Sequence, residues 1–180
     1  ALGAGNVFLD VTFTEGVYTN NTGTGSLNTS DFTLVFAANG GSATNATIAS
    51  ITNTSGGALV GGESTYRLVL SVTGFVAGPE TITVNPNSNE IFDKSGNPAP
   101  NTTSTGVVTL FDQVAPTVSN ITSSKTDAAY KAGTLIDIQV TFTEAVTVTG
   151  TPTIKINNGG TGINAAYVSG NTTNTLVFNY

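Results

Sequence analysis

The stretch V-T-F-T-E at Val11–Glu15 occurs again at Val140–Glu144, and the rest of the chain can be placed relative to these two copies. In each copy apolar side chains alternate with threonine, and each copy ends on a carboxylate. Alternation with a period of two is typical of a β-strand with one face buried and the other in water. The repeat therefore predicts two equivalent strands in two related halves of the chain.

The composition describes a polar but weakly charged protein. Of its 180 residues, 38% are hydrophobic, which is enough to build the cores of one large or two small domains. Only 9% are charged, whereas roughly 25% is usual for soluble domains. The net charge is -6 with only five Lys and Arg residues. Because neutralising phosphates requires clustered cations, we expect no nucleic-acid partner.

Cysteine, histidine, methionine and tryptophan are all absent from the sequence. Without cysteine and histidine there is no disulfide, no thiolate chemistry and no histidine to activate a serine nucleophile, so we predict a protein without enzymatic activity. The lack of oxidisable cysteine and methionine fits an extracellular or cell-surface location. No run approaches the roughly 20 apolar residues of a membrane span, so we expect no membrane insertion.

The chain reads as many short strands separated by turns rich in glycine and asparagine, without helical periodicity. This pattern is typical of an antiparallel β-sandwich. The predicted strands are Val7–Thr14, Phe32–Phe36, Thr47–Ile51, Tyr66–Val72, Thr81–Val84, Val107–Phe111, Val118–Thr122, Leu135–Thr143, Thr153–Asn157, Ala165–Val168 and Thr175–Tyr180.

A domain boundary is predicted at D-Q-V-A-P, residues 112–116. Pro116 fixes its own φ angle and holds the residue before it in an extended conformation, so this segment forms a short, stiff joint. The prediction is a first domain over 1–111 and a second domain over 117–180. We expect the two domains to sit end to end.

The two copies of the motif have unequal flanks. The predicted strand Val118–Thr122 precedes the second copy, whereas only a few residues precede the first. After the first copy the chain continues to Phe111, but it stops at Tyr180 soon after the second. We therefore expect the first domain to lack its opening strand and the second to lack its closing strands. Two explanations stay open: a fragment of a longer repeat array, or a filament subunit whose neighbours exchange strands.

The second half resembles the bacterial immunoglobulin-like repeats that are tiled in large secreted and cell-surface adhesins. The resemblance rests on A-P-T-V at its start, V-T-F-T-E-A-V at Val140–Val146, G-T-P-T-I at Gly150–Ile154, A-Y-V-S-G at Ala166–Gly170 and N-T-L-V-F at Asn174–Phe178. The first half, with V-T-F-T-E-G-V, S-D-F-T-L and D-K-S-G-N-P, resembles a related repeat. The resemblance implies an all-β fold of tandem immunoglobulin-like sandwiches. It also implies a structural or adhesive role as a stalk or filament building block, partnered by neighbouring repeats or by copies of itself.

Two residues that end the repeated motif, Glu15 and Glu144, suggest a cation site. By alternation both point towards the core, where a carboxylate must be hydrogen-bonded, paired or metal-bound. Backbone N–H donors of a following turn and calcium both meet this need. Calcium takes six to eight oxygen ligands, and the resemblance implies calcium at the joints of tandem repeats, although no EF-hand loop is present. The candidate calcium ligands are Glu15, Asp93, Asn97, Asp112 and Glu144.

A carbohydrate-binding module of a secreted protein is the alternative function. Many β-sandwiches bind glycans, and such sites use exposed aromatic side chains as platforms. Because tryptophan is absent, only tyrosines could fill that role: Tyr18, Tyr66, Tyr130, Tyr167 and Tyr180. The sequence leaves the adhesive or glycan ligand open.

Overall fold

Antiparallel β-sheets make up nearly all of the regular structure. The computed structural model describes residues 1–157 and 162–180, with 43% of residues in strands and 3% in helices. The strands of the described residues are β1 (Phe8–Thr12), β2 (Phe32–Ala37), β3 (Asn45–Thr52), β4 (Thr65–Thr73), β5 (Thr81–Pro86), β6 (Val108–Thr109), β7 (Val118–Thr122), β8 (Asp137–Val146), β9 (Thr153–Ile156), β10 (Ile163–Ser169) and β11 (Thr173–Asn179). Each falls on a strand predicted from the sequence, and the all-β fold is confirmed.

Most strand ends differ from the prediction by one to three residues, and the ends of β1 and β6 matter most here. β1 stops at Thr12 rather than Thr14, because the chain bends at Thr14 and Glu15. Just beyond the bend, a Cβ atom at Gly16 would overlap the carbonyl of Gly62. β6 is reduced to two residues. Two short 3₁₀ helices, Ala4–Asn6 and Thr29–Asp31, were not predicted.

The chain divides into two compact units, Ala1–Val114 and Ala115–Tyr180, which we call the first and second units. The division falls inside the predicted joint at 112–116. Neither unit contains a helix among the described residues that is long and apolar enough to cross a membrane.

The first unit is a sandwich of two three-stranded antiparallel sheets, in the orders β1-β4-β3 and β2-β5-β6. Strand β4 is the centre of its sheet, and burial alternates along it, with Tyr66, Leu68 and Leu70 inside. These side chains share one core with residues of the other sheet, such as Phe32 and Ile82. Burial of both inner faces is what a sandwich requires.

Phe13 of the repeated motif lies where the two sheets meet. Its ring packs edge-on against Tyr66, with centroids 6.0 Å apart and an interplanar angle of 86°. It also lies 6.4 Å from the ring of Phe32 on the opposite sheet. The motif therefore supplies an aromatic contact between the layers as well as a strand.

A buried asparagine joins the beginning of the first unit to its end. The side chain of Asn6 donates from Nδ2 to the carbonyl of Phe111 at 2.8 Å, and its Oδ1 accepts from the Phe111 amide at 2.7 Å. Next to it, Gln113 donates from Nε2 to the carbonyl of Gly5 at 3.0 Å. Asn6 adopts a φ of 60°, a left-handed conformation that asparagine tolerates better than most residues.

The second unit is a single five-stranded antiparallel sheet in the order β7-β8-β11-β10-β9. The second copy of the motif lies in β8, beside β7 on one side and β11 on the other. Its buried side chains are Val140, Ala165, Leu176 and Phe178. No second sheet belongs to this unit within the residues that the structure describes.

Candidate functional site

One cavity of the first unit is a groove that runs beside the repeated motif. It has a volume of about 760 Å³ and is lined by the segment Leu9–Glu15 together with residues 97–100 and 103–105. Apolar side chains of both sheets contribute to the lining, among them Val11, Phe13, Val84 and Val108. We call this cavity the edge groove.

The outer edge of β1 is paired over only part of its length. Ala1 and Asp10 exchange two hydrogen bonds of 2.8 Å, and the Gly3 amide donates to the Phe8 carbonyl at 2.7 Å. Beyond Asp10, no residue of the described chain pairs with this edge.

The inner edge of β1 is paired with β4. The pairing continues one residue further, where the Phe13 amide donates to the carbonyl of Ser64, the residue before β4, at 2.8 Å. Successive residues of a strand point their peptide groups to opposite edges. The peptide groups of Thr12 are therefore the ones directed away from β4, at the edge groove.

Asp93, one of the predicted calcium ligands, is held by amides of its own loop. Its Oδ1 accepts from the backbone amides of Ser95 and Asn97, both at 2.8 Å, and its Oδ2 accepts from the Asn97 side chain at 2.7 Å. The side-chain hydrogen bond from Asn97, followed by its backbone amide, lowers the pKa of Asp93 below its ordinary value. Amide donors therefore already stabilise the charged form of the Asp93 carboxylate, as a bound cation would.

The other candidates occupy different surroundings. Glu15 is exposed at the edge groove, so the prediction that it points to the core is wrong: β1 has ended at Thr12 and strand alternation no longer applies. Asp112 accepts from the Val114 amide at 2.8 Å. Glu144 lies half-buried within β8 of the second unit.

The structure thus brings Glu15, Asp93 and Asn97 to one groove and leaves Asp112 and Glu144 elsewhere in their units. Within the described residues, no three side chains among Asp, Glu, His and Cys form a group that could hold a metal ion. The five candidates do not assemble into one ligand shell, and calcium stays a prediction.

A buried carboxylate that the sequence reading missed is Glu80, which is fully inaccessible to solvent. Its Oε1 accepts from the amides of Ala43 at 3.0 Å and Ala77 at 3.1 Å, and its Oε2 accepts from Ala77 at 3.0 Å. Burial by itself would raise the pKa of Glu80, but these amides outweigh it and hold the pKa below its ordinary value. A Cβ atom at Gly41 would overlap this carboxylate, so glycine is needed there.

A second buried carboxylate, Asp31, closes the 3₁₀ helix at Thr29–Asp31. It accepts from the Asn28 amide at 2.8 Å and from the Asn28 side chain at 3.0 Å. Burial raises the pKa of Asp31 despite these bonds. The spacing N-x-x-D is the signal that reveals this capping box in the sequence. Both buried acids are bonded to loop segments.

The Asp93 loop allows a direct test of the two explanations for its carboxylate. We expect Asp93→Ala to speed amide hydrogen exchange at Ser95 and Asn97, measured by mass spectrometry, because their acceptor is removed. If the loop's amides alone hold Asp93, exchange in the unmodified chain is the same with calcium and with chelator. Slower exchange in calcium would support the metal instead. Asp127→Ala, at an exposed position of the second unit, is the control.

Comparisons of the chain with protein-family models, with curated proteins and with solved structures find no match.

Proposed function

We propose that this protein is a non-enzymatic building block of an extracellular bacterial stalk or filament. The observation that carries the proposal is the use of one motif as a sheet strand in two successive units. A chain that repeats a strand in this way builds length by adding units. The weakly charged surface and the sequence resemblance to adhesin repeats support the same role.

Further support comes from the polar side chains of the first unit. Of its buried carboxylates, Glu80 accepts from amides of two loops, and Asp31 accepts from the amide and side chain of Asn28, the cap of its own 3₁₀ helix. Buried acids that are fully hydrogen-bonded fix a conformation rather than offer reactive groups. Partners in the proposed role are neighbouring repeats or further copies of the chain, and calcium is the ion proposed to stiffen the joints.

Surface labelling tests the proposed function. Antibodies raised against the first unit should label intact cells that produce the full-length protein, and a protease added to those cells should remove the signal. A cytoplasmic protein produced in the same cells is the control for lysis. Labelling that appears only after the cells are made permeable would overturn the proposal.

A glycan-binding role is the second candidate, and one feature of the second unit favours it. Tyr130 and Tyr180, each 41% exposed, line the same depression of about 480 Å³ together with Lys131. Exposed tyrosines combine an apolar ring with a polar tip, as sugar-binding platforms require. Binding on a glycan array that is lost in Tyr130→Ala and kept in Tyr167→Ala would favour this role. Tyr167 is the control, because its ring packs against Phe178 and is not part of the lining of this depression.

A further inference from the structure

We propose that the outer edge of strand β2 pairs with the same edge of a second copy of this chain. The inference rests on the proposed function, because it gives the building block a lateral contact as well as length. Strand β2 pairs with β5 on one side and lies at the edge of its three-stranded sheet.

The hydrogen bonds of β5 show which peptide groups of β2 face outward. Val84 of β5 lies opposite Leu34. It directs its own peptide groups to the other side, because its amide donates to the Thr105 hydroxyl and its carbonyl accepts from the Thr105 amide, both at 3.0 Å. The Leu34–Val84 pair is therefore not hydrogen-bonded, and bonded and non-bonded pairs alternate along an antiparallel ladder. The residues whose peptide groups point to the outer edge are Phe32, Leu34 and Phe36.

These outward groups are open at two of the three residues. The Phe32 amide is already bonded to the Thr29 carbonyl at the end of the 3₁₀ helix. The amides and carbonyls of Leu34 and Phe36 have no hydrogen-bond partner among residues 1–157 and 162–180. An edge with regularly spaced free donors and acceptors is a template for another strand.

Strand β2 differs from the other edge strands of the first unit because it lacks any protection against such pairing. Charged side chains, bulges and shortness are the devices that guard strand edges. β1 carries the charged Asp10, β3 is bulged between Ile48 and Ser50, and β6 has two residues. β2 runs for six residues in regular register with the sequence F-T-L-V-F-A, without charge, glycine or proline. Segments of this composition pair readily with copies of themselves.

A second copy fits this edge because the free groups are self-complementary. A two-fold axis at Val35 places Leu34 opposite Phe36 of the second copy, and Phe36 opposite the second copy's Leu34. Each free amide then meets a free carbonyl in both copies. An axis at Leu34 would instead place Phe36 opposite Phe32, whose amide is occupied, and would leave the Phe36 carbonyl unpaired. The axis at Val35 therefore satisfies this edge better.

The side chains support the same register. Val35 is 52% exposed although it lies within a strand. Opposite residues that do not exchange hydrogen bonds have Cα atoms about 4.5 Å apart, so the two Val35 side chains would shield each other from water. Thr33 falls opposite Ala37 of the second copy. Because β2 carries no charge, no like charges meet along the pairing.

The symmetry of this contact has a consequence for the proposed role. The same surface is used by both copies, so the contact is isologous and closes at two copies. The axis reverses the strand direction, so the two first units lie antiparallel. Their Phe111 ends, beyond which the chain continues into the second unit, point in opposite directions. Chains that approach from two facing surfaces meet in this orientation, so the contact provides cohesion between cells.

Disulfide trapping tests the register, and the chain contains no cysteine of its own. The full chain carrying Val35→Cys is oxidised, and disulfide-linked pairs are measured by non-reducing electrophoresis. The yield should be about tenfold higher than for Thr109→Cys, because the axis brings two thiols within disulfide range and raises their effective concentration. Thr109 is exposed on β6, the opposite edge strand of the same sheet. Equal yields at the two positions would overturn the proposal.

Sedimentation equilibrium measures the contact without trapping. The unmodified full chain should sediment as monomer and dimer. Val35→Lys should weaken the dimer about tenfold, because two like charges replace an apolar contact across the axis. Thr109→Lys is the control and should dimerise like the unmodified chain. Urea unfolding checks that Val35→Lys still folds, as expected for an exposed side chain. A monomeric unmodified chain, or a Val35→Lys variant that dimerises normally, contradicts the proposal.

Amide hydrogen exchange, resolved by NMR, identifies the edge that is used. Exchange at Leu34 and Phe36 should slow as the protein concentration rises through the dimerisation range. Ile48 on β3 is the internal control. It lies opposite Leu70, whose amide donates to the Val7 carbonyl of the other neighbour, so the Ile48 peptide groups also face an outer edge.

Two outcomes of the exchange measurement would overturn the second copy as the partner of β2. Slowing at Ile48 instead of Leu34 and Phe36 would assign the dimer to β3. Slow exchange at Leu34 and Phe36 at every concentration, in a chain that sediments as a monomer, would assign the edge to the same chain.

Bead clustering tests the orientation of the two copies. Beads coated with the full chain should cluster, beads coated with Val35→Lys should not, and beads coated with Thr109→Lys should cluster like the unmodified ones. A dimer in solution without clustering of beads would overturn cohesion between facing surfaces. Surface labelling of intact cells does not depend on β2. It therefore tests the proposed function independently, whichever way the dimer experiments end.

Discussion

Glu80→Ala should lower the free energy of unfolding of the first unit by about 4 kcal/mol, since each buried amide left without an acceptor costs about 1–3 kcal/mol. The two amides are those of Ala43 and Ala77, and no solvent reaches the carboxylate that they share. Glu80→Gln should be intermediate, because its amide nitrogen cannot accept a hydrogen bond.

Urea unfolding followed by circular dichroism measures this change. Glu15→Ala is the control, since Glu15 is exposed and its truncation should leave the midpoint unchanged. A loss below about 1 kcal/mol for Glu80→Ala, the net worth of one ordinary hydrogen bond, would show that the loops relax and find other acceptors.

The contribution of Glu80 to the free energy of unfolding depends on pH. The pKa of Glu80 is lower in the folded chain than its ordinary value of 4.5. Such a carboxylate stabilises the fold above its unfolded pKa, and the contribution is lost as pH falls through the folded pKa. The stability difference between the unmodified chain and Glu80→Gln should therefore be constant above pH 4.5 and shrink below it.

Tyr66→Ala should cost about 3–5 kcal/mol, the range for removing a large aromatic side chain from a core. Tyr66 is fully buried and supports the Phe13 ring of the repeated motif. Its hydroxyl donates to the Val17 carbonyl at 3.0 Å, a bond that Tyr66→Phe removes while keeping the ring. We expect Tyr66→Phe to cost only about 1 kcal/mol.

The split between the two Tyr66 variants distinguishes packing from hydrogen bonding. Both are compared by urea unfolding with Tyr130→Ala, which truncates a tyrosine that is 41% exposed in the second unit and should have little effect. Equal losses for Tyr66→Phe and Tyr66→Ala would mean that the hydroxyl, rather than the ring, stabilises the sandwich.

The strands were predictable because alternation along the chain records burial directly. Leu68 and Leu70 in β4, and Ile82 and Val84 in β5, are buried as their spacing predicts. Extending the β5 pattern one residue back puts Glu80 on the same inner face, so the pattern also contained the buried acid. It was missed because the predicted strand began at Thr81.

The ends of elements and the convergence of side chains were not predictable in this way. β1 ends just before a bend beyond which Gly16 meets the carbonyl of Gly62, a contact between residues far apart in the chain. Asn6 finds its partner 105 residues away, which no local pattern can indicate. The meeting of Glu15 and Asp93 at one groove was equally unpredictable, because only the folded sandwich brings them together. The hydrogen bonds that Asp93 accepts within its own loop, in contrast, are local.

The bonds between Asn6 and Phe111 also determine how the first unit carries force. Each of these bonds links a residue near the start of the unit to one near its end, so they resist a pull that separates the two ends. Ala1, which is bonded to Asp10 of β1, and Gln113, whose amide donates to the Val76 carbonyl, pass part of the same load to the rest of the sandwich. Tension on the unit is therefore shared between the Asn6–Phe111 bonds and the strand pairing.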